Sequence, residues 1–291
     1  MITRFAPSPT GPLHLGHAYS ALLAHDMAQA AGGKFLLRIE DIDQSRSRTD
    51  WEEQIYHDLR WLGLTWTTPV MRQSDRLAAY QEVLTQMWWD GLLYACTCNR
   101  RDIIAAATAP QEGDVTYGPD GVIYPGTCRN TVADRDHYPA GIPFDKALRL
   151  DWSTFPKGAL DGASFTETGD GSERSVPVSL DDLRQTVGDV VLARRDMGTS
   201  YHLSVVLDDA AQGVTHVVRG EDLFEATQIH VALQSALGLP TPIYHHHRLI
   251  RDDAGKRLAK RDDARAISKY RADGASPNDI RMLVGLPLAS A

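Results

Sequence analysis

The chain has 291 residues, 43% of them hydrophobic and 23% charged, enough for one large globular domain or two moderate ones. Neither end carries an apolar run of membrane-spanning length, Met1 to Arg4 leads into a motif with no signal peptide, and three cysteines confined to 96–128 are too few for a disulfide framework, so the reading is a cytoplasmic monomer with no membrane partner. A net charge of −8 argues against a polyanion held by the whole surface, yet Arg251 to Arg271 carries eight basic residues against four aspartates, a strip that can still hold one. Ile2 to Phe5 predicts a strand, Pro7 to Pro12 a turn and Ala18 to Ala31 a helix. Phe35 to Ile39 predicts a second strand, Trp51 to Leu62 an amphipathic helix, and Ser74 to Gly91 a further helix stopped by Asp90-Gly91. Residues 1–95 therefore read as the first half of a doubly wound α/β domain. Gly, Pro and Thr accumulate over 96–175, where Thr166 to Glu173 reads as a flexible turn, and this stretch is taken as an insertion. Apolar runs return from Gly188: Val190 to Leu192 and Leu203 to Leu207 predict strands and Ala226 to Leu237 a helix, so 176–242 reads as the second half of the domain. Residues 243–291 close the chain with His245-His246-His247, read as a strand end, a basic loop and one or two short helices.

His14 and His17 fall on the first turn of the predicted helix, three apart and on one face, near unpaired backbone N–H groups where a triphosphate is favoured. Gly16 between them removes a side chain, so a flat base or ribose can approach the backbone. Taken alone, His-x-x-His is equally a capping pair or half of a metal site. Cys96, Cys98 and Cys128 are three thiols with zinc-like spacing in want of a fourth ligand, for which Tyr124 and His137 are the candidates; chemistry alone favours His137, since a tyrosine must lose its proton to ligate. His245 to His247 point in different directions and cannot easily share one ion.

Arg4-Phe5-Ala6-Pro7-Ser8-Pro9-Thr10-Gly11-Pro12-Leu13-His14-Leu15-Gly16-His17 resembles the first signature of class I aminoacyl-tRNA synthetases of the glutamyl and glutaminyl branch. Leu37 to Asp43, Val217 to Leu223 and Arg257-Leu258-Ala259-Lys260-Arg261 follow in that family's order, the last as its second signature. The resemblance implies a Rossmann-like, doubly wound parallel sheet interrupted by a zinc-bearing, acceptor-stem-type insertion over 96–175. It implies ATP, with Mg2+, held by His14, Gly16, His17, Arg257 and Lys260, of which His14, His17 and Lys260 are the catalytic candidates. Arg257 and Ala259 depart from the usual lysine and serine of the second signature: arginine keeps the charge with another geometry, and alanine removes a hydroxyl. For L-glutamate the resemblance implies Arg4 on the side-chain carboxylate and Glu40 on the ammonium, with Phe5, Ala6, Pro7, Ser8, Tyr201 and Arg219 as further contacts. It favours Tyr124 over His137 as the fourth zinc ligand, in a structural site.

Members of the branch that charge a tRNA 3′ end continue past the second signature into an anticodon-reading region, whereas 30 residues follow Arg261 here. The expectation is a short helical C-terminal extension, 243–291, without an anticodon-binding domain. That form is similar to a reduced paralogue that activates glutamate without tRNA and transfers it to the queuosine base in the anticodon loop of tRNA-Asp, a single-stranded element whose bases can be contacted directly. The alternatives are a reduced enzyme charging a 3′ end and a non-catalytic nucleic-acid-binding protein.

Overall fold

The computed structural model describes residues 1–108, 116–129, 141–251 and 265–289. Strand β1 (Ile2–Phe5) leads into helix α1 (Leu15–Ala30), and β2 (Lys34–Ile39) then pairs in parallel with β1. Helix α2 (Thr49–Trp61) returns the chain to β3 (Thr67–Arg72), parallel to β2, and α3 (Leu77–Trp89) follows, closed by Gly91 at φ +72°. The predicted helix from Ser74 thus starts as a 3-10 turn, Gln73–Arg76. Each crossover places a helix against the sheet: α1 buries Leu15, Ala18, Ala21, Leu22, Ala24 and Ala28 on Phe35, Leu37 and Ile39. Small alanines at this spacing let helix and strands approach closely.

Strand β4 (Leu93–Cys96) leads into the predicted insertion, which holds helix α4 (Arg100–Thr108), the short hairpin β5 (Tyr117–Gly118) and β6 (Gly121–Val122), and β7 (Ala147–Leu150). Two strands at its end belong elsewhere. β8 (Ser164–Glu167) and β9 (Arg174–Pro177) form an antiparallel pair flanking the segment read as a flexible turn. They join the sheet ordered β11-β12-β8-β9, where β12 lies parallel to β8. The polar Thr166 to Glu173 composition conceals this because β8 is half-buried, with Phe165 and Glu167 inward.

After α5 (Leu180–Asp182), which continues as a π-helical stretch over Leu183–Val187, β10 (Val191–Ala193) pairs with β7 in a sheet ordered β10-β7-β4. The run Leu203 to Leu207, expected as a strand, is instead part of helix α6 (Tyr201–Ala211). His202 through Val206 are all buried, so this stretch is enclosed on most sides and the five-residue run carries no readable helical period; a short apolar run cannot by itself separate the two structures. Strand β11 (His216–Gly220), helix α7 (Thr227–Ala236) and strand β12 (Ile243–His247) complete the second half, and α8 (Ile267–Ala272) and α9 (Pro277–Leu283) follow. Arg281 of α9 forms a two-pronged ion pair with Asp26 of α1 at 2.7 and 2.8 Å, docking the C-terminal helix on the first half. No helix of the described residues is long and apolar enough to cross a membrane.

The two halves meet at β1 and β11. The Thr215 N–H donates to the Ile2 carbonyl at 3.0 Å and the Ile2 N–H to Thr215 Oγ1 at 2.8 Å. Strand order reverses across this seam, where open α/β sheets form ligand crevices beyond the strands' carboxyl ends. Gly169, in the turn after β8, is wedged against β12: a Cβ there would sit 1.9 Å from the His246 carbonyl oxygen. Gly169→Ala is therefore expected to destabilise the protein by about 1–3 kcal/mol in chemical denaturation, through forced displacement of β12; an unchanged midpoint would mean that this turn yields freely.

Candidate active site

A cavity of about 560 Å³ opens at the carboxyl ends of β1, β2, β11 and β12. Its walls include Arg4, Phe5, Ala6 and Ser8 from the first strand and turn, His14, Gly16 and His17 from the start of α1, and Glu40 just after β2. Tyr201 opens α6, Arg219 is the penultimate residue of β11, and both face the same space. Pro7 stands behind the wall, where its carbonyl accepts the Glu40 N–H at 3.0 Å and ties the first turn to the end of β2. Arg257, Lys260 and Arg261 lie outside the described residues, but Leu249 and Ile250 line the cavity and Ala266 forms a backbone bridge with His14.

The histidines have a capping role as well as a position on the cavity. His14 is the N-cap of α1: its Nδ1 accepts the Gly16 N–H at 3.1 Å, while His17 Nδ1 accepts the His14 N–H at 3.2 Å. Two of the helix's orphan donors are thereby satisfied, and the rings stack at 3.8 Å between centroids. With Nδ1 accepting, the proton of each neutral ring sits on Nε2, which makes that atom a donor, the polarity a phosphate oxygen needs. Gly16 has a second use, since a Cβ there would press on the His14 ring at 3.1 Å.

Beneath the cavity lies a buried charge cluster that the sequence reading missed. Asp209 of α6 accepts from Arg4 Nε at 3.0 Å and from Arg38 Nη1 at 2.7 Å, and Arg38 Nη2 reaches Glu40 at 3.2 Å. Its neighbour Asp208 turns the other way and accepts from Gln73, Arg76 and Tyr80 at 2.7–2.9 Å. Burial pushes the Asp209 carboxyl upward, but Arg4 and Arg38 outweigh it and hold it below the usual range. Burial also acts on Glu40 and prevails there, raising its carboxyl despite Arg38 and Arg4. A ligand ammonium beside Glu40 would reverse that balance. The adjacent acids at the end of Leu203 to Leu207 were the available signal, legible only once that run is taken as helix.

Arg219 is gripped from all sides: Nε donates to His246 Nε2 at 3.1 Å, Nη1 to His230 Nδ1 at 3.1 Å and to the Tyr201 hydroxyl at 3.4 Å, and Nη2 to Thr227 Oγ1 at 2.7 Å and the Leu223 carbonyl at 3.2 Å. The His245 to His247 strand splits as alternation requires. His246 turns inward to Arg219 and Glu167, while His245 contacts Thr168 and His247 meets the Ser20 hydroxyl at 2.6 Å.

A larger cavity, about 910 Å³, adjoins the first through the shared residues Tyr201 and Leu223 and reaches the cysteines. The thiols of Cys96, Cys98 and Cys128 lie within 4.8 Å of one another, and the Tyr124 hydroxyl is 3.5 Å from both Cys96 and Cys98. Tetrahedral Zn–S bonds of about 2.3 Å put sulfurs about 3.8 Å apart, so three thiols and a phenol fit one divalent ion. The Arg149 guanidinium lies 3.8 Å over the Tyr124 ring; burial and the hydrogen bonds to the thiols push the Tyr124 phenol up, so it would ligate only with the metal itself displacing the proton. Burial pushes the Cys98 thiol up to about 11; Cys128 is drawn down to about 7, because hydrogen bonds from Tyr124 and the Thr97 backbone overcome its burial. His137 lies outside the described residues.

Residues 1–115 and 176–287 match the sequence profile of "tRNA synthetases class I (E and Q), catalytic domain". A glutamyl-Q tRNA(Asp) synthetase of Rhodobacter capsulatus is 64% identical over 286 residues, covering 98% of this chain and all of that protein. The chain belongs to this family of class I tRNA synthetases. A relative of the same description from Nocardia farcinica is 42% identical, covering 98% of this chain and 85% of that one. Among solved structures, a glutamate tRNA ligase from Elizabethkingia meningosepticum, in complex with its amino acid, is similar at a TM-score of 0.71 and 26% identity. The match covers 98% of this chain but only 60% of that one, so the chain spans about three fifths of the ligase's length. Membership makes the protein a ligase of the aminoacyl-tRNA synthetase type, built on the family's parallel α/β sheet, with ATP and Mg2+ as the family's reagents.

The charge cluster generates a stability prediction. Asp209→Asn leaves two buried guanidinia without their shared anion and is expected to cost about 3–5 kcal/mol of folding stability. The depressed Asp209 carboxyl contributes stability in full above its unfolded value near pH 4, and this drains away as pH falls through the lower folded value. Denaturation at pH 7 and pH 3 tests both: the gap between wild type and variant should narrow in acid, and a constant gap would contradict the assignment.

Proposed function

We propose that this chain activates L-glutamate with ATP in the absence of tRNA and transfers the glutamyl group to the queuosine base in the anticodon loop of tRNA-Asp. The observation that carries the reading is a single cavity uniting His14, Gly16 and His17 at the start of α1 with the guanidinia of Arg4 and Arg219 and the carboxylate of Glu40. The names of relatives matched over nearly the whole chain support the acceptor. Activation is an in-line attack by the α-carboxylate oxygen on the α-phosphorus, with pyrophosphate leaving; the attacking group is already ionised, so no general base is needed and catalysis is positioning plus charge stabilisation. His14 and His17 donate to the phosphates from the α1 side, and Lys260 with Arg257 supplies positive charge from the stretch whose flanks border the cavity. Phe5, Ala6, Pro7 and Ser8 shape the amino-acid side. Glu40 takes the ammonium, Arg4 the side-chain carboxylate, and Arg219 with Tyr201 completes the pocket.

In the second step an acceptor hydroxyl attacks the acyl carbon and AMP leaves. The larger cavity, with Arg100, Arg194 and Arg195 on its walls, offers the approach for a nucleic-acid loop. A structural zinc on Cys96, Cys98, Cys128 and Tyr124 would brace that wall by cross-linking β4 to the segment after β6. The protein works as a cytoplasmic monomer on this reading.

Two measurements test it. Wild-type protein should catalyse glutamate-dependent ATP–pyrophosphate exchange without tRNA, lose it in Arg4→Leu, and label tRNA-Asp from radioactive glutamate only when queuosine is present. Equal labelling with and without queuosine would favour charging of a 3′ end, and absent exchange under all conditions a non-catalytic binding protein. Metal analysis of protein purified without chelator should return about one zinc per chain, lost in Cys98→Ser; less than a tenth of an equivalent in the wild type would refute the zinc assignment.

A further inference from the structure

The two guanidinia of the smaller cavity are held in electrostatically opposite ways. Arg4 is bonded to the carboxylate of Asp209 at 3.0 and 3.4 Å, so its charge is locally cancelled. Arg219 also has acceptors for its donors, but they are two imidazoles, two hydroxyls and a carbonyl, none of them a carboxylate. His230, Thr227 and His246 do not line the cavity; they support the guanidinium from behind, while Arg219 and Tyr201 face it. Of the two bonds with both partners on the cavity wall, the one to the Leu223 carbonyl is 3.2 Å and engages the backbone, whereas the one to the Tyr201 hydroxyl is the longest of the set at 3.4 Å and joins two side chains, so it is the bond an incoming carboxylate would replace.

Hydrogen-bond direction fixes the imidazoles as neutral. A guanidinium never accepts, so His230 Nδ1 must be bare, and the His230 proton sits on Nε2, facing His202 Nδ1 at 3.1 Å. His202 is thereby committed to carry its own proton on Nε2, toward Asp120 at 3.4 Å. On the other side His246 Nε2 accepts from Arg219 and its Nδ1–H is spent on Glu167, which is separated from the guanidinium by the width of the imidazole ring. Burial, reinforced by Arg219, holds His230 well below the usual histidine range and His246 down to about 4.

We propose that His230, Thr227 and His246 are positioning residues that fix Arg219 without neutralising it, so that its full charge is kept for a carboxylate of the amino-acid substrate. This rests on the reading above that Arg219 contacts the activated amino acid. A merely structural role makes a different forecast: a carboxylate at position 230 or 227 would form a charge-assisted bond and hold Arg219 more firmly than the native neutral group. On the positioning account that firmer hold is harmful, because it cancels the charge.

The test is two near-isosteric acid and amide pairs, His230→Glu against His230→Gln and Thr227→Asp against Thr227→Asn. Position 227 opens α7, where an acidic residue suits the helix dipole, so this pair remains informative should an acid at 230 prevent folding. Folded variants are compared by exchange kinetics with glutamate and with ATP varied separately, and by calorimetric titration with glutamate alone. Each acid should raise the KM and Kd for glutamate at least about tenfold over its amide, the loss of one charge-assisted contact, with the KM for ATP unchanged. His230→Gln, which can accept from Arg219 and donate to His202, should retain glutamate affinity within about threefold of wild type, since a neutral hydrogen-bonding group is replaced by another. Folded acid variants that match their amides would overturn the proposal while leaving the glutamate reading intact. A wild-type chain that neither binds nor exchanges glutamate would overturn both.

Discussion

The buried bridge from Asp209 to Arg4 and Arg38 is the interaction on which the rest of the architecture depends. It joins β1 and β2 to α6, more than 170 residues later, in the space beneath the cavity. Removing charges from water is expensive, and such a cluster is tolerable only when complete. Arg4, Arg38 and Arg76 stand against Asp208, Asp209 and Glu40, so the described cluster is balanced three against three. Either half of the domain alone would strand charges in an apolar setting. The same condition that makes the halves interdependent fixes the pocket floor, because Arg4 and Glu40 belong both to the cluster and to the cavity wall.

What the sequence made legible and what it hid divide along the range of the interactions. β1, α1 and β2 were readable because a short apolar strand, a Pro/Gly turn and an alanine-rich helix are local signals, and the His14 and His17 positions follow from where that helix begins. Leu203 to Leu207 was misread because an enclosed five-residue run carries no readable helical period. With that error Asp208 and Asp209 disappeared from view, since in a strand they would point to opposite faces. β8 was hidden for the converse reason: its polar, half-buried residues gain their place from pairing with β12, more than 70 residues later. The thiol spacing was visible, but only the fold carries Tyr124 to Cys96 and Cys98.

Arg219 shows how far motif reading reaches. Arg4 and Arg219 are both arginines near strand ends on one cavity, and the motifs assign Arg4 to the side-chain carboxylate and Arg219 to a further contact with the amino acid. Their surroundings make them different reagents. A guanidinium bridged to a buried carboxylate offers a ligand geometry and residual donors but little net field, whereas one held by neutral imidazoles offers its charge as well. Neutral histidine suits the second task better than most side chains: it is large enough to reach across a core, it accepts from a guanidinium through one nitrogen, and it passes its proton to a further partner through the other.

The joined cavities add a constraint on order. In the proposed reaction a mixed anhydride between glutamate and AMP would form, and because such an anhydride is susceptible to water its pocket would need to be closed on the side where an acceptor later enters. Tyr201 and Leu223 are the wall common to both cavities, and both touch Arg219, one through its hydroxyl and the other through its carbonyl. The guanidinium that would grip the amino acid is thus mechanically tied to the partition through which, in the proposed reaction, transfer must occur. A substrate carboxylate that displaces the long Arg219–Tyr201 bond would release the tyrosine hydroxyl at the moment the pocket fills. Occupancy of the first cavity would in this way bear directly on a residue that also lines the second.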